Sequence, residues 1–127
     1  MIVHYVLDTG ALIGIERGKP RVKRFVALAN AGAARLVVPL PVVAEWWRGR
    51  TDRRDTILAS CQVSSSLGAA KAAGVALAHL GDIEAKLTID AMVIATAALL
   101  DGIVITGDPK DFDVLRGHFP GVAVLGV

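Results

Sequence analysis

The 127-residue chain contains a single cysteine, Cys61, which excludes an internal disulfide and any Cys-x-x-Cys metal site. In its apolar surroundings that thiol is expected to be buried and inert. There is no linker rich in Ser, Gly or Pro, no low-complexity stretch and no internal repeat. One compact domain over residues 1–127 is therefore expected. The longest apolar run of the C-terminal half, Ala91 to Leu100 between Asp90 and Asp101, is roughly half as long as a membrane-spanning helix, which needs about 20 residues. The segment Met1 to Asp8 carries neither a basic leader nor a small-residue cleavage site, so a cytoplasmic chain with no membrane association is expected. Neither GxGxxG nor a P-loop occurs, which removes a dinucleotide or nucleoside-triphosphate cradle. A net charge of +2 is too small for a strongly basic nucleic-acid protein.

What is present is apolar sequence in short, punctuated blocks. Val3 to Leu7 reads as a strand ended by Asp8-Thr9-Gly10, with Ala11, Leu12 and Ile15 following at helical spacing. Gly18 and Pro20 break that helix and open another, on which Val22, Phe25, Val26 and Ala29 share a face. Leu36 to Val38 is a second strand, and Pro41 opens the helix that carries Glu45. Helices are predicted over residues 52–60 and 67–80, the latter presenting Leu67, Ala70, Gly74, Leu77 and Leu80. A very short strand at Gln62-Val63 lies between them. Thr88 is expected to cap a helix opening at Asp90 and ending at Asp101-Gly102. A strand over Ile103 to Thr106, a short helix near 111–116 and a last strand over 122–125 complete the order. Apolar strands alternating with helices predict an α/β domain whose mainly parallel sheet is covered on both faces. In such sheets ligands sit beyond the carboxyl ends of the strands.

Four carboxylates interrupt these apolar elements: Asp8, Glu45, Asp90 and Asp108. Carboxylates in such places are costly to bury unless they are paired or hold a cation. Brought together they repel one another, and a divalent ion relieves the repulsion. Each has a plainer reading when taken singly. Asp90 can cap its helix, Asp108-Pro109 can be a turn, and Glu45 can pair with Arg48 three residues on.

Of two metal-dependent α/β types, one fails on the residues and the other fits poorly. A haloacid-dehalogenase phosphatase needs Asp-x-Asp after its first strand, where this chain has Gly10; the same lack disfavours a phosphatase of small substrates. A phosphoacceptor receiver needs an adjacent acidic pair there, and only Asp8 is present. Four strings remain in order: Val6-Leu7-Asp8-Thr9-Gly10-Ala11-Leu12, Val43-Ala44-Glu45-Trp46-Trp47-Arg48-Gly49, Asp90-Ala91-Met92-Val93-Ile94-Ala95-Thr96-Ala97, and Ile105-Thr106-Gly107-Asp108-Pro109-Lys110-Asp111-Phe112. On these the chain resembles PIN-domain ribonucleases, in particular the VapC-like toxins of bacterial toxin–antitoxin pairs. Gly10 departs from the family's usual Ser, Asn or other small residue.

The resemblance implies a PIN-like three-layer α/β/α sandwich. It also implies an acidic pocket of Asp8, Glu45, Asp90 and Asp108 that binds Mg²⁺ or Mn²⁺ and cleaves RNA phosphodiesters with an activated water. Hard oxygen donors suit those ions. Asp8 and Asp108 are the expected direct ligands, Asp90 completes the site, and Glu45 orients the water. Thr9 and Thr106 are expected to support the carboxylates by hydrogen bonds. Asp111 is a further acid or, more readily, the N-cap of a short helix. The resemblance further implies a cognate antitoxin that blocks the pocket, and a homodimer, which the 54% hydrophobic content also suggests.

Cations gather at Arg17, Lys19, Arg21, Lys23 and Arg24, and at Arg48, Arg50, Arg53 and Arg54. Either group can hold RNA backbone beside the acids, or be a solvated helix face. Of Trp46 and Trp47, one is expected in the core and one along a groove. His4, His79 and His118 lack metal-like spacing and read as structural or exposed. The expected function is that of a metal-dependent endoribonuclease toxin. The alternative is a non-catalytic PIN-fold module that binds RNA or protein.

Overall fold

The computed structural model describes residues 2–48, 52–81 and 85–127. The elements run β1 (Val3–Leu7), α1 (Thr9–Glu16), α2 (Pro20–Asn30), β2 (Ala34–Pro39), α3 (Leu40–Trp46), α4 (Asp52–Ala59), β3 (Gln62–Ser64), α5 (Leu67–Leu80), α6 (Ala85–Leu100), β4 (Ile103–Thr106), a 3-10 turn (Pro109–Phe112), α7 (Asp113–Arg116) and β5 (Ala123–Gly126). The five strands form one sheet in the order β3-β2-β1-β4-β5, and every pairing is parallel. This is an α/β sandwich, and its sheet is wholly rather than mainly parallel.

Burial follows from strand position. In β1, β2 and β4, at the middle of the sheet, Val6, Leu7, Val37, Val38, Val104 and Ile105 are all buried. Continuous β-branched and aliphatic runs are what a strand covered on both faces requires. The edge strands β3 and β5 are short and partly exposed, as edges that must not recruit further strands usually are.

Two helices differ from expectation. Asp90 does not open its helix: α6 begins at Ala85, so Asp90 lies in the second turn and Thr88 is not its cap. The second difference is the buried face of α5. Ala69, Ala73, Ala76 and Leu77 are buried, whereas Leu67 is 69% exposed and Ala70 and Gly74 face outward. Small side chains let α5 approach α6 closely, and close packing of many atoms outweighs burial of one large leucine. Leu77 is buried and Leu80 partly buried, as expected; it is Leu67, Ala70 and Gly74 that the periodicity placed on the wrong face.

The strand order positions the site. After β1 the chain winds to one side through β2 and β3, then crosses back and adds β4 and β5 on the other. The connections leaving β1 and β4 therefore diverge, and a crevice opens above their carboxyl ends.

Candidate functional site

Asp8 follows β1 and is the N-cap of α1: its Oδ1 accepts from the Ala11 N–H at 2.8 Å. Its Oδ2 accepts from the Thr106 hydroxyl at the end of β4. The same hydroxyl oxygen accepts from the Asp108 N–H at 3.0 Å, so Thr106 ties Asp8 to the loop bearing Asp108. Asp8 is 9% exposed. Burial is the strongest influence on its carboxyl and raises it above the ordinary aspartate range. Hydrogen bonds from Thr106 and from the Ala11 and Gly107 N–H groups pull it back, and the charge of Asp111 adds to the rise.

Glu45, half-buried on α3, accepts from the hydroxyl of Thr9 at the start of α1. An ion pair with Arg48 is therefore not what orients it. Asp108 is exposed, caps the 3-10 turn and accepts from the Lys110 N–H at 3.1 Å. The expectation that Asp111 is the N-cap of the short helix is overturned: Asp111 lies within the 3-10 turn that Asp108 caps, and Phe112 precedes α7 without a side-chain cap. Asp90 is buried at 8% exposure.

A cavity of about 370 Å³ at the switch between β1 and β4 brings these groups together. Its walls include Asp8, Thr9, Gly10, Ile13, Arg17, Lys19, Glu45, Asp90, Gly107, Asp108 and Asp111. The four acids and Asp111, separated by up to about a hundred positions in sequence, thus face one space. Gly10 has a physical reason that the sequence did not disclose. A Cβ there would lie 2.9 Å from both the Cα and the N of Gly107 and 3.4 Å from Asp8 Oδ1. Only bare backbone at both positions lets α1 close onto β4 and hold Asp8 against Thr106.

Among the described residues, no three His, Cys, Asp or Glu side chains are drawn together tightly enough to hold a metal ion on their own. The donor set nevertheless fits a hard, hydrated cation. Mg²⁺ typically takes one or two carboxylates directly and keeps several waters. Hydrogen bonds fix Asp8 and Glu45 in orientation, and each carboxylate has about four acceptor positions, more than these bonds use.

The proposed RNA-contacting arginines divide. Arg50 lies outside the described residues. Arg54 is committed to the structure: its guanidinium donates to the backbone oxygens of Trp46 and of Arg48 (2.6 Å) and to Glu16 Oε2 (3.2 Å), and it sits 5.4 Å from the Trp46 ring centroid. Glu16 also accepts from Trp46 Nε1 at 2.7 Å. Burial pushes the Glu16 carboxyl up, but hydrogen bonds from Trp46 and Arg54 and the charges of Arg54 and Arg53 prevail and hold it below the usual range. Nothing in the sequence flags Glu16, because its partners are 30 and 38 positions away. Arg48 and Arg53 are exposed.

Trp46 is buried and Trp47 is 37% exposed. Cys61 is half-buried rather than fully buried, and burial pushes its thiol up to about 11, which keeps it protonated and unreactive. The rings of His79 and His118, far apart in sequence, lie 5.3 Å apart. No described helix is long and apolar enough to cross a membrane.

The profile described as PIN domain matches residues 5–117. A search of curated protein sequences gives no match. Among solved structures, a chain of VapBC2 from Rickettsia felis, bound to a DNA fragment from their promoter, superimposes with a TM-score of 0.73 at 16% identity, covering 98% of this chain and 99% of that one. VapBC-1 from nontypeable Haemophilus influenzae gives 0.63 at 17% identity over 98% of each chain. A toxin–antitoxin complex from Klebsiella pneumoniae gives 0.63 at 23% identity over 98% and 99%. At these identities the likeness speaks for the fold.

Proposed function

The chain belongs to the PIN-domain family, and on that premise we propose that it is a metal-dependent endoribonuclease, the toxin of a toxin–antitoxin pair. The observation that carries this reading is the convergence of Asp8, Glu45, Asp90, Asp108 and Asp111 on one cavity at the sheet's switch point. Five carboxylates against two cations, Arg17 and Lys19, give the cavity an excess of negative charge, which a bound divalent ion would offset.

Asp8 and Asp108 are the direct ligands in this reading, and Asp90 completes the site from α6. Mg²⁺ or Mn²⁺, when bound, neutralises phosphate charge and makes water a stronger nucleophile. Glu45, held in orientation by Thr9, accepts a proton from the attacking water. Thr106 fixes the Asp8 rotamer, and Asp111 adds negative charge that favours cation uptake. The similarity to VapBC2, VapBC-1 and a toxin–antitoxin complex supports an antitoxin partner, and the acidic cavity is the proposed place for it to block. A second copy of the chain is the proposed cover for large apolar side chains left outside, among them Leu67, Val75 and Leu99, each more than half exposed. Only monomer in a sedimentation run at micromolar concentration would argue against it. The proposed setting is the cytoplasm.

A second reading, a non-catalytic RNA- or protein-binding module, draws on the local tasks of Asp8 and Asp108 as caps. The deciding experiment incubates partner-free protein with tRNA, rRNA and mRNA in Mg²⁺, Mn²⁺ or EDTA, beside Asp90→Asn. Discrete cuts that require metal and vanish in the mutant are expected. Folded protein that neither binds metal nor cuts RNA would favour the binding module.

A further inference from the structure

Arg54 is taken up by Glu16 and by backbone oxygens, so the basic clusters are not equivalent, and the remaining cations can be traced by the spaces they share. Arg17 and Lys19, both exposed, stand on the wall of the acidic cavity. Arg17 also borders, with Arg53, a recess of about 370 Å³ that the Glu16–Arg54 pair lines as well. Lys19 also borders a groove of about 330 Å³ between α1 and α2, whose floor includes Ile15, Val22 and Val26 and whose rim adds Lys23 and Arg53. The cations thus form one continuous strip, Arg17-Lys19-Lys23-Arg53, which starts at the carboxylates and runs away along an apolar floor. Arg21 and Arg24, on α2 with Lys23 and also exposed, border neither space.

From this we infer that the strip is the track for one flank of a single-stranded RNA, whose backbone phosphates follow Arg17, Lys19, Lys23 and Arg53 away from the cavity. The inference rests on the endoribonuclease reading. A strand entering a pocket of five carboxylates meets repulsion, and cations at the rim offset it just where the chain must bend inward. The floor carries aliphatic side chains and no aromatic ring, so it offers bases apolar contact without stacking. Binding along it is expected to be insensitive to sequence and governed by salt. The sequence selectivity of cleavage then has to come from elsewhere on the surface.

The test compares two double mutants with the same change of charge on the same stretch of chain: Lys19→Ala with Lys23→Ala, and Arg21→Ala with Arg24→Ala. Binding of a short fluorescein-labelled single-stranded RNA of mixed sequence is followed by anisotropy in EDTA across a salt series. A phosphate contact on a single strand contributes about 0.7 to the slope of log K against log salt, so the first mutant should lose about 1.4 and the second close to none. Equal losses in both mutants, or no loss in the first, would overturn the track. If the wild type still cuts RNA in that case, the functional reading stands and only the track falls. Wild-type protein that neither binds nor cuts RNA removes track and reading together. A poly-glutamate peptide whose binding depends on Lys19 and Lys23, while RNA binding does not, would assign the strip to an acidic protein partner and overturn the RNA track.

Discussion

Cavities of about 370 Å³ open at both ends of the sheet, and they differ in what the fold places on their walls. The one at the amino ends of β1, β2 and β3 is lined by Ile2, Ala34, Leu36, Ser60 and Gln62, with Arg35 as its only ionisable side chain among the lining residues. The one at the carboxyl ends of β1 and β4 carries five carboxylates and two cations. Size does not separate them; the direction of the chain does. In a parallel sheet every helix that follows a strand starts at the carboxyl edge, so free N–H groups gather there and favour carboxylates. Asp8 caps α1 in this way. The opposite edge receives the last turns of α2 and α4, whose free groups are carbonyls.

The largest contrast is expected in cleavage. Asp8→Asn should lower RNA cleavage on the order of 100-fold or more, because charge stabilisation by the ion is worth several kcal/mol. Arg35→Ala at the other end should leave the rate within about twofold, as surface substitutions usually do. Equal losses in the two variants would erase the distinction between the cavities.

Next in size is ligand-linked stability. Mg²⁺ or Mn²⁺ at about 100 times its Kd should add about 2.7 kcal/mol to the folded state. Calorimetry should show that gain in the wild type and in Arg35→Ala, and lose it in Asp8→Asn. A gain that survives in Asp8→Asn would place the ion elsewhere.

Glycines sharpen the comparison further. Gly10→Ala puts a methyl group against the Gly107 backbone and should cost about 1–3 kcal/mol in urea unfolding, as overpacking does. It should also weaken cation binding, since Asp8 and Thr106 are pushed apart. Gly32, at the amino edge with φ of +77° and open space around it, should cost about 1–2 kcal/mol on replacement by Ala, from backbone strain alone, with cation binding untouched. Unaltered cation binding in Gly10→Ala would show that the close approach of α1 and β4 is not needed for the site.

The smallest effect is on pH dependence without metal. The Asp8 carboxyl is raised by burial, so its ionisation is harder in the folded state than in the unfolded chain. The sign follows from linkage: the folded state bears no penalty where Asp8 is protonated, and the penalty grows as pH rises through the unfolded and then the folded pKa. Asp8→Asn in EDTA should therefore melt higher than the wild type at neutral pH, with the advantage fading as pH falls from the raised folded value towards the ordinary aspartate value and gone below it. A constant advantage across that range would show that the carboxyl is not raised.

Much of the fold could be read along the chain. The runs Val3–Leu7 and Ile103–Thr106 became central strands because β-branched sequence without polar alternation suits a strand covered on both faces. Pro20 and Pro41 sit in the first turns of α2 and α3, where a missing N–H costs nothing. The face of α5 was legible only at Leu77 and Leu80, and the start of α6 was not legible. Close packing of alanines carries no strong hydrophobic signal, and a helix that continues N-terminal to a carboxylate looks the same in sequence as one that begins there. For the cavity, the acids themselves stood out as charges inside apolar elements. Their shared space, the duties of Asp8 and Asp108 as caps, and the commitment of Arg54 to Glu16 all depend on partners distant in sequence.

Local chemistry, then, was determined by the sequence alone: which segments are strands, which are helices, and which carboxylates have no place in an apolar element. Period, proline, glycine and charge act over a few residues, so they are visible in a string. Tertiary structure decided the order β3-β2-β1-β4-β5, and with it the crevice between β1 and β4. It also decided that Gly10 must meet Gly107, and that one arginine serves the core while its neighbour faces solvent. Those outcomes depend on contacts between segments tens of residues apart, whose energies arise only once the whole sheet is assembled and water is excluded between its layers.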